Sequence, residues 1–391
     1  MRIVLFNYTG AKPNPVYDIL AAALAKRGHV VIVGATDENS KIVWYNAQGE
    51  ILGTVPTRSE VLGRLNIPIV SAILARVSKI GLMQQVRHDV LAVSPDIIQV
   101  NTNVNPWILA LNLPRGVQAT YDIRQINESV DERLRTRIQE KLQLYRYRIF
   151  TRYIFKHSFF CHREAARHIV GEDWPHKVSV IPVGVDNAFL EIETSQLANK
   201  VNGEPLNFVY VGTLSRLRNL QQLFYAADIL RQEMKGFKIT LVGPDRSNGF
   251  YQHTIDELNL NEYVAIEPPL PYEAVPTFLA NQHVGLAFVP DRPTWHYQPT
   301  IKILEYRALG LPILSTDVAS HREFIQDGVN GVMVQDNPES IAAGMRRFLQ
   351  DGEFFNHMVS NARQMRRGLT WDQIAEAYEH VYQQLLLTDR R

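Results

Sequence analysis

Residues 2–33 read RIVLFNYTGAKPNPVYDILAAALAKRGHVVIV, and the fold class follows from how this stretch divides. Residues 2–6, a basic residue followed by a short apolar run, read as a buried strand. Gly10, Pro13 and Pro15 turn the chain into a loop, 16–26 carries a helical apolar stripe, and Gly28 ends it. Residues 30–33 are a second apolar strand. Strand, helix and strand within about 33 residues make a βαβ unit, because parallel neighbours need a crossover between them.

The same rhythm runs outward. Short strands are expected over 95–100, 116–121 and 178–182. After the polar, linker-like stretch 193–204 the series restarts with a strand over 207–211 that ends at Gly212, and a helix over 220–233. Strands follow over 238–242, stopped by Gly243 and Pro244, and over 284–289, stopped by Pro290. A helix over 301–309 is closed by Gly310 and Pro312, and a strand begins at Ile313. Two such series predict an α/β protein of two doubly wound, Rossmann-like domains, 1–187 and 205–370, with a terminal segment 371–391. Open sheets of this kind bind ligands beyond the carboxyl ends of their strands, so two facing sheets suit transfer between two substrates across a central cleft.

Composition narrows the function. A chain of 391 residues with 46% apolar and 21% charged residues is ordinary globular material, long enough for two cores. Its net charge of +1 gives no global field to attract nucleic acid. Cys161 is the only cysteine, which excludes intramolecular disulfides and cysteine-rich metal sites and fits a reducing cytoplasm. The apolar run at the start breaks at Asn7, too early for a signal-peptide core, and no run reaches the roughly twenty apolar residues of a membrane span. A cytoplasmic protein is expected, with peripheral contact to the inner membrane face left open. That contact would fall on 133–156, where Arg133, Arg135, Arg137, Lys141, Arg146, Arg148, Arg152 and Lys156 oppose Glu140 alone. Interleaved Leu142, Leu144, Tyr145, Tyr147, Ile149 and Phe150 fit either a membrane-surface helix or a helix packed on its own domain.

Two segments carry chemistry. At 299–312, a loop enters a helix at Thr300, whose hydroxyl is placed to cap it. The free N–H groups there, including that of Ile301, and the helix dipole favour a phosphate, and Lys302 in the first turn makes sense beside an anion. Glu305 shares the face of Lys302 and can accept hydrogen bonds from sugar or ribose hydroxyls. At 209–219, Gly212 lets the backbone turn sharply at a strand end, with Thr213, Arg216 and Arg218 following on the loop; the arginines can grip a diphosphate. The bland alternatives are a Lys–Glu surface pair and solvated arginines.

Together these segments resemble the nucleotide-sugar signatures of the retaining glycosyltransferases of family 4, which have the GT-B fold. The block from Pro299 or Thr300 to Pro312 is similar to that family's Pro-x-Lys-x-x-Glu-Tyr-x-Ala-x-Gly-x-Pro, and Arg218 stands where it has a basic residue about six positions after the strand-end glycine. The stretches at 181–186, around Glu323 and at Trp371-Asp372 resemble further family segments, the last a terminal helix crossing back onto the first domain. The resemblance implies that Arg218 and Lys302 contact the diphosphate and Glu305 the ribose or the adjoining phosphate. It also implies retention of configuration and transfer to a hydroxyl of a glycan or lipid-linked acceptor. Gly212, Thr213, Arg216, Tyr297, Thr300 and Ile301 would line the donor, and Gly10, Lys12, Asp122 and Arg124 the acceptor side, with 101–105 a further loop there. The sequence departs from the family at Tyr297, where a first glutamate is usual, at Thr213, where a basic residue is, and at Arg124, where a histidine is.

No metal or other cofactor is expected beyond the nucleotide-sugar co-substrate: the sequence has no Asp-x-Asp, and its histidines show no ligand spacing. Fixed cations and helix-end N–H groups can stabilise a leaving diphosphate instead. Two rival functions remain: a sugar-nucleotide epimerase or hydrolase using Tyr297 and Glu323, and a catalytically inactive nucleotide-sugar-binding subunit.

Overall fold

The computed structural model describes residues 1–8, 15–36, 41–55, 68–102, 104–124, 126, 134–172, 176–193 and 205–388. The chain forms two compact units, one of Met1–Val183 with Trp371–Arg391 and the other of Gly184–Thr370.

The first unit is built on eight strands: β1 Arg2–Tyr8, β2 Val30–Thr36, β3 Ile42–Asn46, β4 Ile51–Val55, β5 Ile97–Thr102, β6 Gln118–Ile123, β7 His157–Phe160 and β8 Val178–Val180. Their order is β4-β3-β2-β1-β5-β6-β7-β8. The strands from β2 to β8 in that order run parallel, with Leu5 opposite both Val33 and Gln99. The opening βαβ unit lies at the centre of the sheet. β3 and β4 add an antiparallel edge that the reading of parallel repeats did not anticipate. It is tied down by Trp44, whose ring covers Gly34 so closely that a Cβ there would come within 2.4 Å of it.

One face of this sheet is covered by the helix Pro15–Lys26 and the C-terminal helix Trp371–Thr388. Tyr17, Leu20 and Leu24 share a core with Phe159, Ile374, Ala375 and Tyr378. Each large apolar side chain so buried contributes about 2 kcal/mol. Arg27 clamps the same two helices through Glu379, Nε to Oε2 at 2.5 Å.

The second unit has six parallel strands: β9 Leu206–Val211, β10 Phe237–Val242, β11 Val264–Glu267, β12 Val284–Ala287, β13 Ile313–Thr316 and β14 Gly331–Val334. The order β11-β10-β9-β12-β13-β14 is the doubly wound one, and its direction reverses between β9 and β12. β12 and β13 are buried along their whole length, and 284–289 reads as an unbroken apolar run for that reason. The helices Gln221–Arg231 and Pro338–Gln350 pack over this sheet, with Phe208, Phe224, Leu230 and Phe348 in one core.

Candidate donor site in the second unit

The site grows from the reversal point of the second sheet. β9 stops at Val211, and Gly212 follows with φ of 145°, a conformation that side chains disfavour. Gly243 stands beside it at the end of β10 with φ of 149°, and a Cβ on Gly243 would lie 2.1 Å from the Gly212 carbonyl oxygen. Two glycines are therefore required for the strand ends to pass so closely.

From the other side of the reversal point, the helix Ile301–Leu309 leads into β13. Its Tyr306 ring lies on Gly285 of β12, and its hydroxyl donates to the Val209 carbonyl and accepts from the Val211 N–H, both at 3.2 Å. That pins the helix to the end of β9. Lys302, one turn earlier, then reaches the glycine: a Cβ on Gly212 would meet its Nζ at 3.4 Å. The Nζ also sits 4.0 Å from the centroid of the Tyr210 ring.

Lys302 is only 6% exposed. Burial holds its pKa well below the usual lysine range, Arg218 adds to the effect, and Glu305 opposes it. Glu305, equally buried, is pushed up to about 7 by desolvation, against the pull of a hydrogen bond from Tyr272 and of Lys302. The Tyr272 hydroxyl donates to Glu305 Oε1 at 3.2 Å. A cation and a carboxylate are thus held out of water without a mutual salt bridge at contact distance among those recorded for the described residues.

Two aromatic rings hold the arginines. Arg218 closes the short 3₁₀ turn Arg216–Arg218 and lies 4.3 Å over Trp295; Arg216 lies 4.3 Å over Phe250. One terminal nitrogen of Arg218, Nη1, is buried with no hydrogen-bond partner among the described residues, as is the Thr300 hydroxyl. Thr300 does stand at the helix N-cap with extended backbone, but its side chain makes no capping bond. The expected hydroxyl cap is therefore absent, and that oxygen remains for another partner. Ile301 is 46% exposed at the first helical position. Thr213 is half-buried beside Gly212, and Tyr297 is half-buried at the end of the helix Pro293–Tyr297. The structure thus brings Gly212, Arg218, Lys302 and Glu305 to one strand-end locality, whereas Glu323 is exposed and bears electrostatically on Arg307. Tyr272, Trp295, Tyr210 and Phe250 were not singled out in the sequence. Only Tyr210, adjoining the glycine segment, lay close enough in sequence to be suspected.

In the first unit, Gly10, Lys12 and Asn103 lie outside the described residues. Asp122 and Arg124 are buried in a network. Asp122 Oδ2 accepts from Tyr17 at 2.6 Å and from Gln99 and the Arg124 Nε, each at 2.9 Å. Arg124 also donates to the Tyr378 hydroxyl of the C-terminal helix. Asp122 Oδ1 and Arg124 Nη1 are left without partners among the described residues. The basic stretch begins within the helix Leu134–Ile149 and continues as a π-turn over Phe150–Ile154 before β7; Arg133 lies outside the described residues. Ile138, Leu142, Tyr145 and Tyr153 are exposed along it. Among the described residues, no helix is long and apolar enough to cross a membrane, and no group of His, Cys, Asp or Glu is arranged to hold a metal ion.

Residues 191–365 match the family Glycosyl transferases group 1. A D-inositol 3-phosphate glycosyltransferase of Nocardiopsis dassonvillei is 25% identical over 219 residues, covering 53% of this chain and 50% of that one. Matches to curated relatives span 23% to 54% of the relatives' own length. Among solved structures, sucrose-phosphate synthase from Thermosynechococcus elongatus superposes with a TM-score of 0.71 at 16% identity, over 99% of both chains. Anabaena HepE in complex with UDP and glucose superposes with a TM-score of 0.67 at 15% identity, over 97% of this chain and 98% of that one. The chain therefore has the GT-B fold, and its residues 191–365 match the Glycosyl transferases group 1 family.

Proposed function

We propose that this protein is a family 4-like glycosyltransferase that moves a sugar, with retention of configuration, from a nucleotide-sugar donor to a hydroxyl of a glycan or lipid-linked acceptor. The observation that carries the reading is the buried Lys302 ammonium against Gly212, with Arg218 beside it and Glu305 three residues on. A buried cation with so little compensation is costly to keep unless an anion completes it. A diphosphate lying across the ends of β9 and the helix Ile301–Leu309 would do so, and the N–H groups of the first helical turn point the same way.

Breaking the anomeric bond builds negative charge on the leaving diphosphate. Lys302 and Arg218 stabilise that charge, and the aromatic faces of Tyr210 and Trp295 keep both cations in place before the ligand arrives. Arg216 adds charge at the rim, and Glu305 accepts the ribose hydroxyls. The cations suffice for the leaving group, so the reading requires no metal. UDP in the HepE complex makes a uridine nucleotide the first donor to try. The relatives named for D-inositol 3-phosphate point to a hydroxyl-rich acceptor. The acceptor is assigned to the first unit, and a lipid-linked one would be met through exposed side chains such as Ile138, Leu142, Tyr145, Arg146 and Arg148.

The test is to assay the full chain against UDP-, GDP- and ADP-linked hexoses with mixed glycan and lipid acceptors, alongside Lys302→Ala and Glu305→Ala. Loss of one transition-state contact is worth ~3 kcal/mol, so each variant should lose about 100-fold in kcat/KM. Near-wild-type rates in both remove these residues from the site. An epimerised sugar formed without acceptor would mark the rival activity instead.

A further inference from the structure

We infer that Tyr272 is a positioning residue for Glu305, holding its carboxylate so that the second oxygen faces the ribose hydroxyls of a nucleotide; this rests on the donor-site reading above. Tyr272 opens a 3₁₀ turn, Tyr272–Ala274, directly after Pro271, on the connection that follows β11. Its hydroxyl donates to Glu305 Oε1 at 3.2 Å. Its ring packs against Phe189 at 6.2 Å between centroids, and Phe189 is fully buried. The phenol is therefore fixed at both ends although the residue as a whole is 44% exposed.

The pairing has a chemical consequence. Glu305 is buried and would protonate easily, and the Tyr272 hydrogen bond is the first influence opposing that, with Lys302 second. The phenol itself is driven far above its usual range by burial and by Glu305, so it stays a donor at every working pH. The groups bearing on the pair are few: Lys302 and Tyr306 on Glu305's own helix, and Asp186, ahead of the helix Asn187–Glu191, acting on the phenol. Arg218 reaches the pair through Lys302. With Oε1 occupied by the phenol, an ionised Glu305 presents Oε2 as the acceptor for hydroxyls.

Tyr272→Phe keeps the ring on Phe189 and removes only the hydroxyl. The probe is whichever of UDP, GDP and ADP binds the wild-type protein, followed by calorimetry from about pH 6 to 9. Glu305 ionisation is followed by carbon-13 NMR of the carboxyl, assigned with Glu305→Gln. The midpoint should rise above its wild-type position of about 7. Affinity should fall about fivefold near pH 7.5, and the difference should shrink below about twofold near pH 9, where both proteins are ionised. An unmoved midpoint with unchanged affinity overturns the inference, and so does a loss that is uniform across pH, which marks a packing role. Glu305→Gln with wild-type affinity, or a wild-type protein that binds none of the three nucleotides, defeats the donor-site reading itself. Weak binding by Glu305→Gln alongside normal Tyr272→Phe defeats only this inference.

Discussion

Replacing Lys302 with methionine separates what the ammonium costs the fold from what it does for a ligand. The side chain is 6% exposed, and its Nζ has the Tyr210 ring 4.0 Å away and Gly212 directly beside it. Burial lowers its pKa well below the usual range. A lysine whose pKa is lower folded than unfolded penalises the folded state below the folded pKa. That penalty vanishes only as pH rises past the unfolded value near 10.4. At neutral pH the charge is therefore a net cost. Exchanging a buried charge for a packed apolar group is neutral to stabilising by about 1–4 kcal/mol, and about 1 kcal/mol is returned with the lost cation–π contact. Methionine should thus raise stability by about 0–3 kcal/mol, which for a unit of this size means a Tm higher by up to about 10 °C. The same change should lower kcat/KM about 100-fold. Scanning calorimetry with and without UDP, run beside initial-rate assays, reads both. A variant destabilised by more than about 1 kcal/mol yet within threefold of wild-type turnover would refute the reasoning, because the ammonium would then be serving the fold.

Three other outcomes are expected. Glu305, raised to about 7 from an ordinary value of 4.5, costs stability that is absent below pH 4.5 and fully present above pH 7. Glu305→Gln should therefore stabilise the protein by about 3 kcal/mol in urea unfolding near pH 8, with the gain fading at acid pH; a gain independent of pH contradicts the assignment. Gly243→Ala places a Cβ 2.1 Å from the Gly212 carbonyl oxygen at a φ of 149° and should cost at least about 2 kcal/mol while disturbing nucleotide affinity. Wild-type stability and affinity would mean the strand ends can part freely. Tyr378→Phe strips Arg124 of its partner on the C-terminal helix and should cost about 3 kcal/mol. A change below about 0.5 kcal/mol in chemical denaturation would show that the network does not hold that helix.

The parallel cores were legible because most of their strand residues are buried, so 3–6, 30–33 and 208–211 read as apolar runs punctuated by glycine. The antiparallel edge β3–β4 was missed because Ile42–Asn46 is only partly buried, Ile51 and Leu52 are exposed, and neither strand has that signature. β11 was missed because Val264–Glu267 is exposed or only partly buried beyond Val264 and carries no apolar run. At the site, Lys302 and Glu305 declared themselves by helical spacing and Arg218 by its place after Gly212. Trp295 and Tyr272 could not, because what makes them matter is a ring under a guanidinium and a phenol on a carboxylate 33 residues away. Arg124 carried a polar loop signal, yet its side chain turns inward to Asp122 and to Tyr378, 254 residues on, a partner no local pattern discloses.

The most direct measurement is a crystal structure of the protein with UDP bound. A diphosphate whose oxygens lie within about 3.2 Å of Lys302 Nζ and Arg218, with the ribose hydroxyls on Glu305, is the expected result. A nucleotide bound elsewhere, with Lys302 still turned onto Tyr210 and no anion near Gly212, would contradict the central claim.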